Sequence, residues 1–328
     1  MHESRLASRP WAWLATLHLC LLTGGCISID LPGGRPGPLL ESVVAGKGSA
    51  KILLVEIEGL IVESPRADRL GLGVEESMVG RVRAQLEKGA EDDGVKAVVL
   101  RIQSPGGTAT ASEILYREIK RYKKKTGRPV VAQFMGIATS GAYYAAMGAD
   151  AVYAYPTTVT GSIGVVWSGL NLSGLMEKLG ISDQTFIAGQ YKDAGSALRP
   201  MRPPEREQIQ SVLDDLYERF RQVVAEGRPH LGPERLGEVA DGRIFSASQA
   251  MEWGLIDGVI DLPEAVAEAR RRAGVEEARV VTYHRRREWT ENLYTRPPGP
   301  RGTLAELLSL LEGPSPAGFL YLWQPGRF

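Results

Sequence analysis

The chain has 328 residues, 43% of them hydrophobic, which is enough for a substantial core in one large α/β unit or two domains. Acidic and basic side chains balance at 39 each, so no net field recruits nucleic acid or another polyanion. Only two cysteines occur, Cys20 and Cys26, which excludes a disulfide framework, a thiolate metal site and a cysteine nucleophile beyond the first 26 residues.

Residues 1–26 have the pattern of an export signal. Arg5 and Arg9 precede an apolar stretch from Trp11 to Leu22, broken by His18, and Thr23-Gly24-Gly25-Cys26 supplies small residues before a cysteine. A comfortable transmembrane span needs about 20 apolar residues, and this run is shorter. The segment resembles a bacterial lipoprotein signal, cleaved before Cys26 with the thiol lipidated. Thr23 stands where that pattern usually has leucine, so an uncleaved N-terminal anchor is the alternative. Both readings place the body in the bacterial cell envelope, anchored to a membrane and outside the cytoplasm. Residues 27–50 are rich in glycine, proline and serine and read as a flexible tether.

From Lys51 apolar runs alternate with amphipathic ones. Strands are predicted at Ile52 to Ile57, Ala97 to Ile102, Val130 to Phe134, Ala151 to Ala154, Gly164 to Trp167 and Gln184 to Ile187. Helices are predicted at Glu75 to Ala90, Ala109 to Lys125, Ser140 to Met147, Leu172 to Leu179 and Pro204 to Glu226. Near-continuous apolar strands between helices imply a mostly parallel sheet flanked by helices on both faces. No repeat or break divides the body, so residues 51–290 read as one domain and 291–328 as a C-terminal tail. The basic run Lys120 to Lys125 at a helix end is a solvated face. The tail has an apolar helical pattern at Leu304 to Leu311 and ends in the cluster Phe319-Leu320-Tyr321-Leu322-Trp323, which is expected to dock on the body or on a neighbouring subunit.

The stretch Gly136-Ile137-Ala138-Thr139-Ser140-Gly141-Ala142-Tyr143-Tyr144 leaves an apolar strand and enters a helix. A serine there gains from the positive helix end, and the following amide can meet an oxyanion. Thr139 or Ser140 also suits an ordinary N-cap. Gln103-Ser104-Pro105-Gly106-Gly107-Thr108 puts paired glycines at another strand end, either turning amides toward a ligand or making a tight turn. It lacks the Gly-Lys-Ser/Thr ending of a phosphate loop.

A serine nucleophile needs a base. Beyond the leader the histidines are His230 and His284, both in settings that suit surface or packing roles. Lysine serves if burial keeps it neutral, an effect of up to ~5 pKa units. Gly189-Gln190-Tyr191-Lys192-Asp193-Ala194-Gly195-Ser196 sets one lysine among small residues after the run Gln184 to Ile187. By itself Lys192 reads more simply as an exposed loop residue.

Taken together, Ser-Pro-Gly-Gly at 104–107, Thr-Ser-Gly-Ala-Tyr-Tyr at 139–144, Thr-Gly-Ser-Ile-Gly at 160–164 and Tyr-Lys-Asp-Ala-Gly at 191–195 resemble the signal peptide peptidase A family. Asp241 to Phe245 and Ala250 to Gly258 resemble its C-terminal segment, and the likeness runs from about residue 51 to about 270 in the family's order. The resemblance implies an α/β, Clp-protease/crotonase-like fold and a membrane-associated Ser–Lys endopeptidase acting on remnant signal peptides and other extended peptides. It maps the nucleophile to Ser140, the general base to Lys192, the oxyanion-hole amides to Gly107 and Gly141, and a lysine-orienting hydroxyl to Ser162. It implies no metal and no cofactor. One copy of the motifs matches the short form, which implies a homo-oligomer. The alternatives are a crotonase-like acyl-CoA enzyme using the same two amides, and a non-catalytic scaffold of the same fold.

Overall fold

The computed structural model describes residues 37–64, 66–67, 74–285, 293–294 and 319–323; the leader with Cys26 and the pattern at Leu304 to Leu311 lie outside them. The first half runs β1 (Leu40–Gly46), β2 (Ala50–Glu58), β3 (Arg66–Ala67), β4 (Val74–Glu75), α1 (Met78–Glu91), β5 (Val95–Ser104), β6 (Gly106–Thr108), α2 (Ala109–Thr126), β7 (Val130–Thr139) and α3 (Gly141–Ala146). The second half runs β8 (Ala151–Ala154), β9 (Val159–Gly161), α4 (Ser173–Lys178), α5 (Pro203–Gly227), α6 (Pro233–Val239), β10 (Ile244–Ser246) and α7 (Ala247–Glu252). It closes with β11 (Gly258–Val259), α8 (Leu262–Ala273), β12 (Ala278–His284) and β13 (Leu320–Leu322).

Strand β2 shows why the main sheet is two-faced. Ile52 and Leu54 pack in one apolar cluster with Leu262, Ala265 and Ala269 of α8. Leu53, Val55 and Ile57 belong to the opposite cluster, with Val82 and Leu86 of α1 and Leu115 and Ile119 of α2. Burying both faces of a strand, at about 1.5–3 kcal/mol per large aliphatic side chain, removes the polar alternation of a half-exposed strand. The sheet order is β1-β12-β2-β5-β7-β8-β11, with β9 pairing β7 and carrying β10. Its pairings are parallel apart from β1 with β12 and β10 with β9. The mostly parallel sheet flanked by helices is therefore the architecture that forms.

Three sequence expectations change. Leu40–Gly46, assigned to the tether, is an edge strand on β12, with Val44 buried. Gly164 to Trp167 forms no strand; Val166 makes only an isolated bridge to Leu320. Gln184 to Ile187 is irregular and exposed, with Phe186 98% accessible, and it pairs with no strand among the described residues.

Helix ends fix where the strand ends deliver their loops. Thr108 caps α2 by accepting from the Ala111 amide at 3.1 Å, and α2 stops at Gly127 in the left-handed conformation. Strands β5 and β7 are parallel neighbours, so their C-terminal ends bring residues 104–108 and 140–141 to the same edge. Ligands of parallel α/β sheets bind at that edge.

Candidate functional site

The helix after β7 begins at Gly141, one residue later than predicted, and Ser140 is left at the junction with φ 53° and ψ −118°. Its side chain makes no capping bond. The ordinary N-cap explanation therefore does not account for this serine. Among the described residues the only other non-glycine with positive φ is Ser162, also at 53°. Such backbone costs about 1–3 kcal/mol and persists only where the surroundings impose it.

The surroundings are identifiable. The Ser140 amide donates to the Gly161 carbonyl at 2.7 Å, the Tyr144 amide donates to the Ser140 carbonyl at 2.9 Å, and Thr139 pairs in register with Gly161. The Ser162 amide in turn donates to Arg243 at 2.8 Å. Ser140 and Ser162 are thus adjacent buried serines on neighbouring parallel strand ends. All six residues of α3 are buried, so the turn cannot relax outward.

The paired glycines close against this turn. A Cβ on Gly107 would sit 1.9 Å from the Ile61 carbonyl oxygen, and one on Gly141 would sit 2.2 Å from Ser112 Oγ and 3.2 Å from the Gly107 nitrogen. Only glycine lets the two backbones approach this closely. The Ile61 amide donates to Gly106 and the Thr108 amide to Ile61, which fixes the loop from the other side. Gly107 and Gly141 are therefore brought together beside Ser140.

The tail occupies this junction, as its expected docking on the body requires. Strand β13 runs antiparallel to β6, pairing Tyr321 with Gly107. The Trp323 amide donates to Pro105 and the Ala109 amide to Phe319, two residues to either side, so Gly107 and Tyr321 are a hydrogen-bonded pair and the Gly107 amide donates to the Tyr321 carbonyl. The same oxygen lies 3.0 Å from where a Gly141 Cβ would stand. On its other side the tail exchanges two bonds with Val166, each 3.0 Å.

The Tyr321 ring, 1% exposed, stacks on Tyr144 at 5.1 Å and 23° and packs against Phe220 at 4.8 Å. Its hydroxyl donates to the Leu216 carbonyl at 2.8 Å. The Tyr144 hydroxyl donates to Glu113, which also accepts from Arg219 at 3.0 Å. Burial, reinforced by the Glu113 carboxylate, holds the Tyr144 phenol far above the usual tyrosine range. Burial opposes ionisation of Glu113, but hydrogen bonds from Tyr144, Arg219 and Arg117 outweigh it and keep the carboxyl below its ordinary value. Sequence reasoning did not single out Glu113, Arg219 or Phe220. Glu113 and Tyr144 lie 31 residues apart on different helices, and no local pattern joins them.

Lys192 corrects an expectation. It is exposed on a turn instead of buried at a strand end, and its ammonium makes no hydrogen bond or ion pair among the described residues. The neighbouring turn is well anchored. Asp193 accepts from Arg199 at 2.7 Å, and Arg199 and Arg202 both grip Glu205 in the first turn of α5. Hydrogen bonds from Arg199 and then Arg202 hold the Glu205 carboxyl far below the carboxylate range. The arm carrying this turn exposes Leu170, Leu175, Leu179, Ile181 and Phe186. His230 contacts the Gly254 carbonyl at the surface and buried His284 contacts Ser42, which fits surface and packing roles. Among the described residues no three histidine, cysteine or acidic side chains are grouped to hold a metal, and no helix is long and apolar enough to cross a membrane.

The sequence pattern of peptidase family S49 matches residues 122–276. The chain is 35% identical over 243 residues to a protein of Enterococcus faecium provisionally named signal peptide peptidase SppA, covering 74% of this chain and 70% of that one. It is 34% identical over 238 residues to the chloroplastic serine protease SPPA of Arabidopsis thaliana, and 32% identical over 222 residues to protease 4 of Haemophilus influenzae. These matches cover 72% and 67% of this chain, but 34% of each of those longer proteins.

Proposed function

Since the chain belongs to peptidase family S49, we propose that it is a membrane-associated serine endopeptidase that hydrolyses remnant signal peptides through Ser140 and Lys192. The neutral Lys192 amine takes the Ser140 proton as the hydroxyl oxygen attacks the scissile carbonyl. The amides of Gly107 and Gly141 stabilise the resulting oxyanion. The lysine then protonates the leaving amine, and water resolves the acyl-enzyme by the same route in reverse. Ser162 accepts a hydrogen bond from the amine and orients it. No step calls for a metal or an organic cofactor.

One observation carries this reading: the chain's own tail lies extended beside Ser140, with the Tyr321 carbonyl bonded by the Gly107 amide. A peptide carbonyl in that position is what acyl transfer to Ser140 requires. Lys192 is exposed, so in this reading it meets the Ser140 of a neighbouring copy, and the apolar arm from Leu170 to Phe186 is the surface that the neighbour covers. Enclosure there would strip water from the amine and favour its neutral form. Lipidated Cys26, or the leader as an anchor, keeps the oligomer at the envelope membrane, outside the cytoplasm, where signal peptides remain after preprotein cleavage.

The test uses the full chain in detergent with an apolar signal-peptide substrate and, separately, an acyl-CoA. Peptide hydrolysis abolished by Ser140→Ala and by Lys192→Ala is the expected result. Turnover of acyl-CoA instead, or of neither substrate by folded oligomer, would overturn the proposal.

A further inference from the structure

The turn that carries Ser140 owes its place to an irregularity in the strand before it. Strand β7 pairs residue for residue with β5 from Val98 and Val130 to Ile102 and Phe134, and pairing resumes at Ser104 and Ala138. Met135, Gly136 and Ile137 therefore stand opposite Gln103 alone, a bulge with two extra residues in β7. In the earlier register Ser140 would come level with Thr108. The bulge draws it back two positions, about 7 Å at about 3.3 Å per residue, to the level of Gly106, and sets Gly141 level with Gly107. The contacts agree: a Cβ on Gly106 would stand 2.8 Å from the Gly141 nitrogen. The sheet also changes partner here. Strand β8 pairs with β7 only up to Phe134, and β9, whose Gly161 carbonyl holds the Ser140 amide, pairs only from Ile137.

Met135 and Gly136 lie outside every strand register, so their backbone groups need other partners. Side chains on the two flanks supply them. The Gly136 amide donates to Gln103 Oε1 at 2.6 Å. On the β9 side the buried Thr158 hydroxyl donates to the Met135 carbonyl, with a longer contact of 3.3 Å to the Phe134 carbonyl. Just past the bulge the Thr160 hydroxyl donates to the Ala138 carbonyl at 2.6 Å. Gln103 is itself fixed, since it pairs with Glu58 of β2 and its carbonyl accepts from the Gly59 amide at 3.0 Å.

We propose that Gln103 and Thr158 are positioning residues for Ser140, acting through the bulge of β7 that sets the serine level with the paired glycines. This deepens the reading of Ser140 as the nucleophile and rests on it. Loss of either bond frees the bulge to shift, and a displacement of about 1 Å at a reacting group can cost on the order of a hundredfold in rate. The Gly107 amide belongs to β6, beyond β5, and does not move with β7. Peptide binding is therefore preserved while the chemical step slows.

The full chain in detergent, with an apolar signal-peptide substrate, tests this. Gln103→Met keeps the length of the side chain without its oxygen, whereas Gln103→Glu keeps an acceptor. Thr158→Val and Thr158→Ser form the corresponding pair on the other flank, so each pair decides the question alone. Gln103→Met and Thr158→Val are expected to lower kcat by about ten- to a hundredfold with KM within about twofold, and Gln103→Glu and Thr158→Ser to stay within about threefold of wild type. Amide exchange, read by mass spectrometry, should be at least about fivefold faster in Gln103→Met over a fragment spanning 130–141 and unchanged over one spanning 97–102. Unchanged kcat and exchange in Gln103→Met and Thr158→Val, equal losses in the conservative variants, or a KM that rises as kcat falls would overturn the positioning role. Wild-type protein that cleaves no peptide removes the Ser140 reading and this role with it, whereas wild-type cleavage matched by all four variants removes the positioning role alone.

Discussion

Ser140 and Gly161 are joined by a 2.7 Å backbone bond, amide to carbonyl, and that bond links the two non-glycine residues with positive φ among the described residues, Ser140 itself and Ser162 next to Gly161. Each lies at the end of a parallel strand, and each is followed by buried chain. Tertiary contacts, with no help from local propensity, hold the two hydroxyl-bearing residues in place. Ser140→Ala should therefore abolish peptide hydrolysis while changing unfolding free energy by less than about 0.5 kcal/mol, because no side-chain bond is lost. Ser140→Gly should also be inactive but more stable by about 0.5–1 kcal/mol, since glycine adopts positive φ freely. Urea unfolding of both variants checks the pair; a Ser140→Gly protein less stable than Ser140→Ala would contradict strain at this position.

Gly107 and Gly141 answer to different neighbours. A Cβ on Gly107 meets the Ile61 backbone at 1.9 Å, which no rotamer change relieves. A Cβ on Gly141 first meets the Ser112 hydroxyl at 2.2 Å. Gly107→Ala should cost about 2 kcal/mol or more and displace the tail strand along with activity. Adding Ser112→Gly to Gly141→Ala should restore stability, though not to Gly107→Ala. Thermal unfolding of the three variants separates backbone from side-chain crowding, and equal rescue of both glycine variants would count against the assignment.

If Lys192 serves the Ser140 of a neighbouring copy, two inactive proteins can repair one another. Ser140→Ala and Lys192→Ala, each without activity alone, should on unfolding and refolding together regain about a quarter of wild-type activity by random assembly. Lack of recovery in mixtures shown to co-assemble would place serine and lysine within one subunit.

The alternating strands were legible because their residues are apolar on both sides. Ile52 with Leu54, and Leu53 with Val55, each found a separate core. The same signal misled at Gln184 to Ile187, where the apolar residues face away from their own chain, so hydrophobicity there does not imply a strand. Leu40–Gly46 was missed for the opposite reason: its glycine- and proline-rich approach resembles a tether, and its partner β12 lies near the other end of the chain. At the site, small-residue motifs marked Ser140 and both glycines. The aromatic packing around Tyr321 was not legible, because the Tyr321 hydroxyl and its acceptor Leu216 are 105 residues apart.

Acid sensitivity should show where β2, β12 and α1 meet. Asp92 accepts from Lys51 and Tyr283, each at 2.7 Å. Partial burial opposes its ionisation, but these bonds and the Gly94 amide prevail and hold its pKa at about 2, below the ordinary 3.8. A depressed carboxyl stabilises the fold above its unfolded pKa and loses that contribution as pH falls toward the folded value. Asp92→Asn should then cost about 1 kcal/mol near neutrality, allowing for partial solvation, and the gap from wild type should close as pH falls from about 4 to about 2. Denaturant titrations across that interval test it; a constant gap would mean that the loss is packing, not charge.

If the Gly107 amide binds the substrate carbonyl as proposed, the tail must leave before a substrate enters, since the Tyr321 carbonyl holds that amide. A segment of the same chain competes at an effective concentration on the order of millimolar, so its departure appears as a raised KM. Tyr321→Ala removes the ring from between Tyr144 and Phe220 and the bond to Leu216, weakening the docked strand by about 3 kcal/mol. The expected result is a KM for apolar peptides lower by about tenfold or more, with kcat within about twofold of wild type, because no group that touches the reacting atoms has changed. Global stability should fall far less than the local loss, as β13 can detach while the main sheet stays intact. An unchanged KM together with unchanged stability would show that the docked tail contributes nothing to occupancy of the site. A fall in kcat would instead mean that the tail organises the site for catalysis.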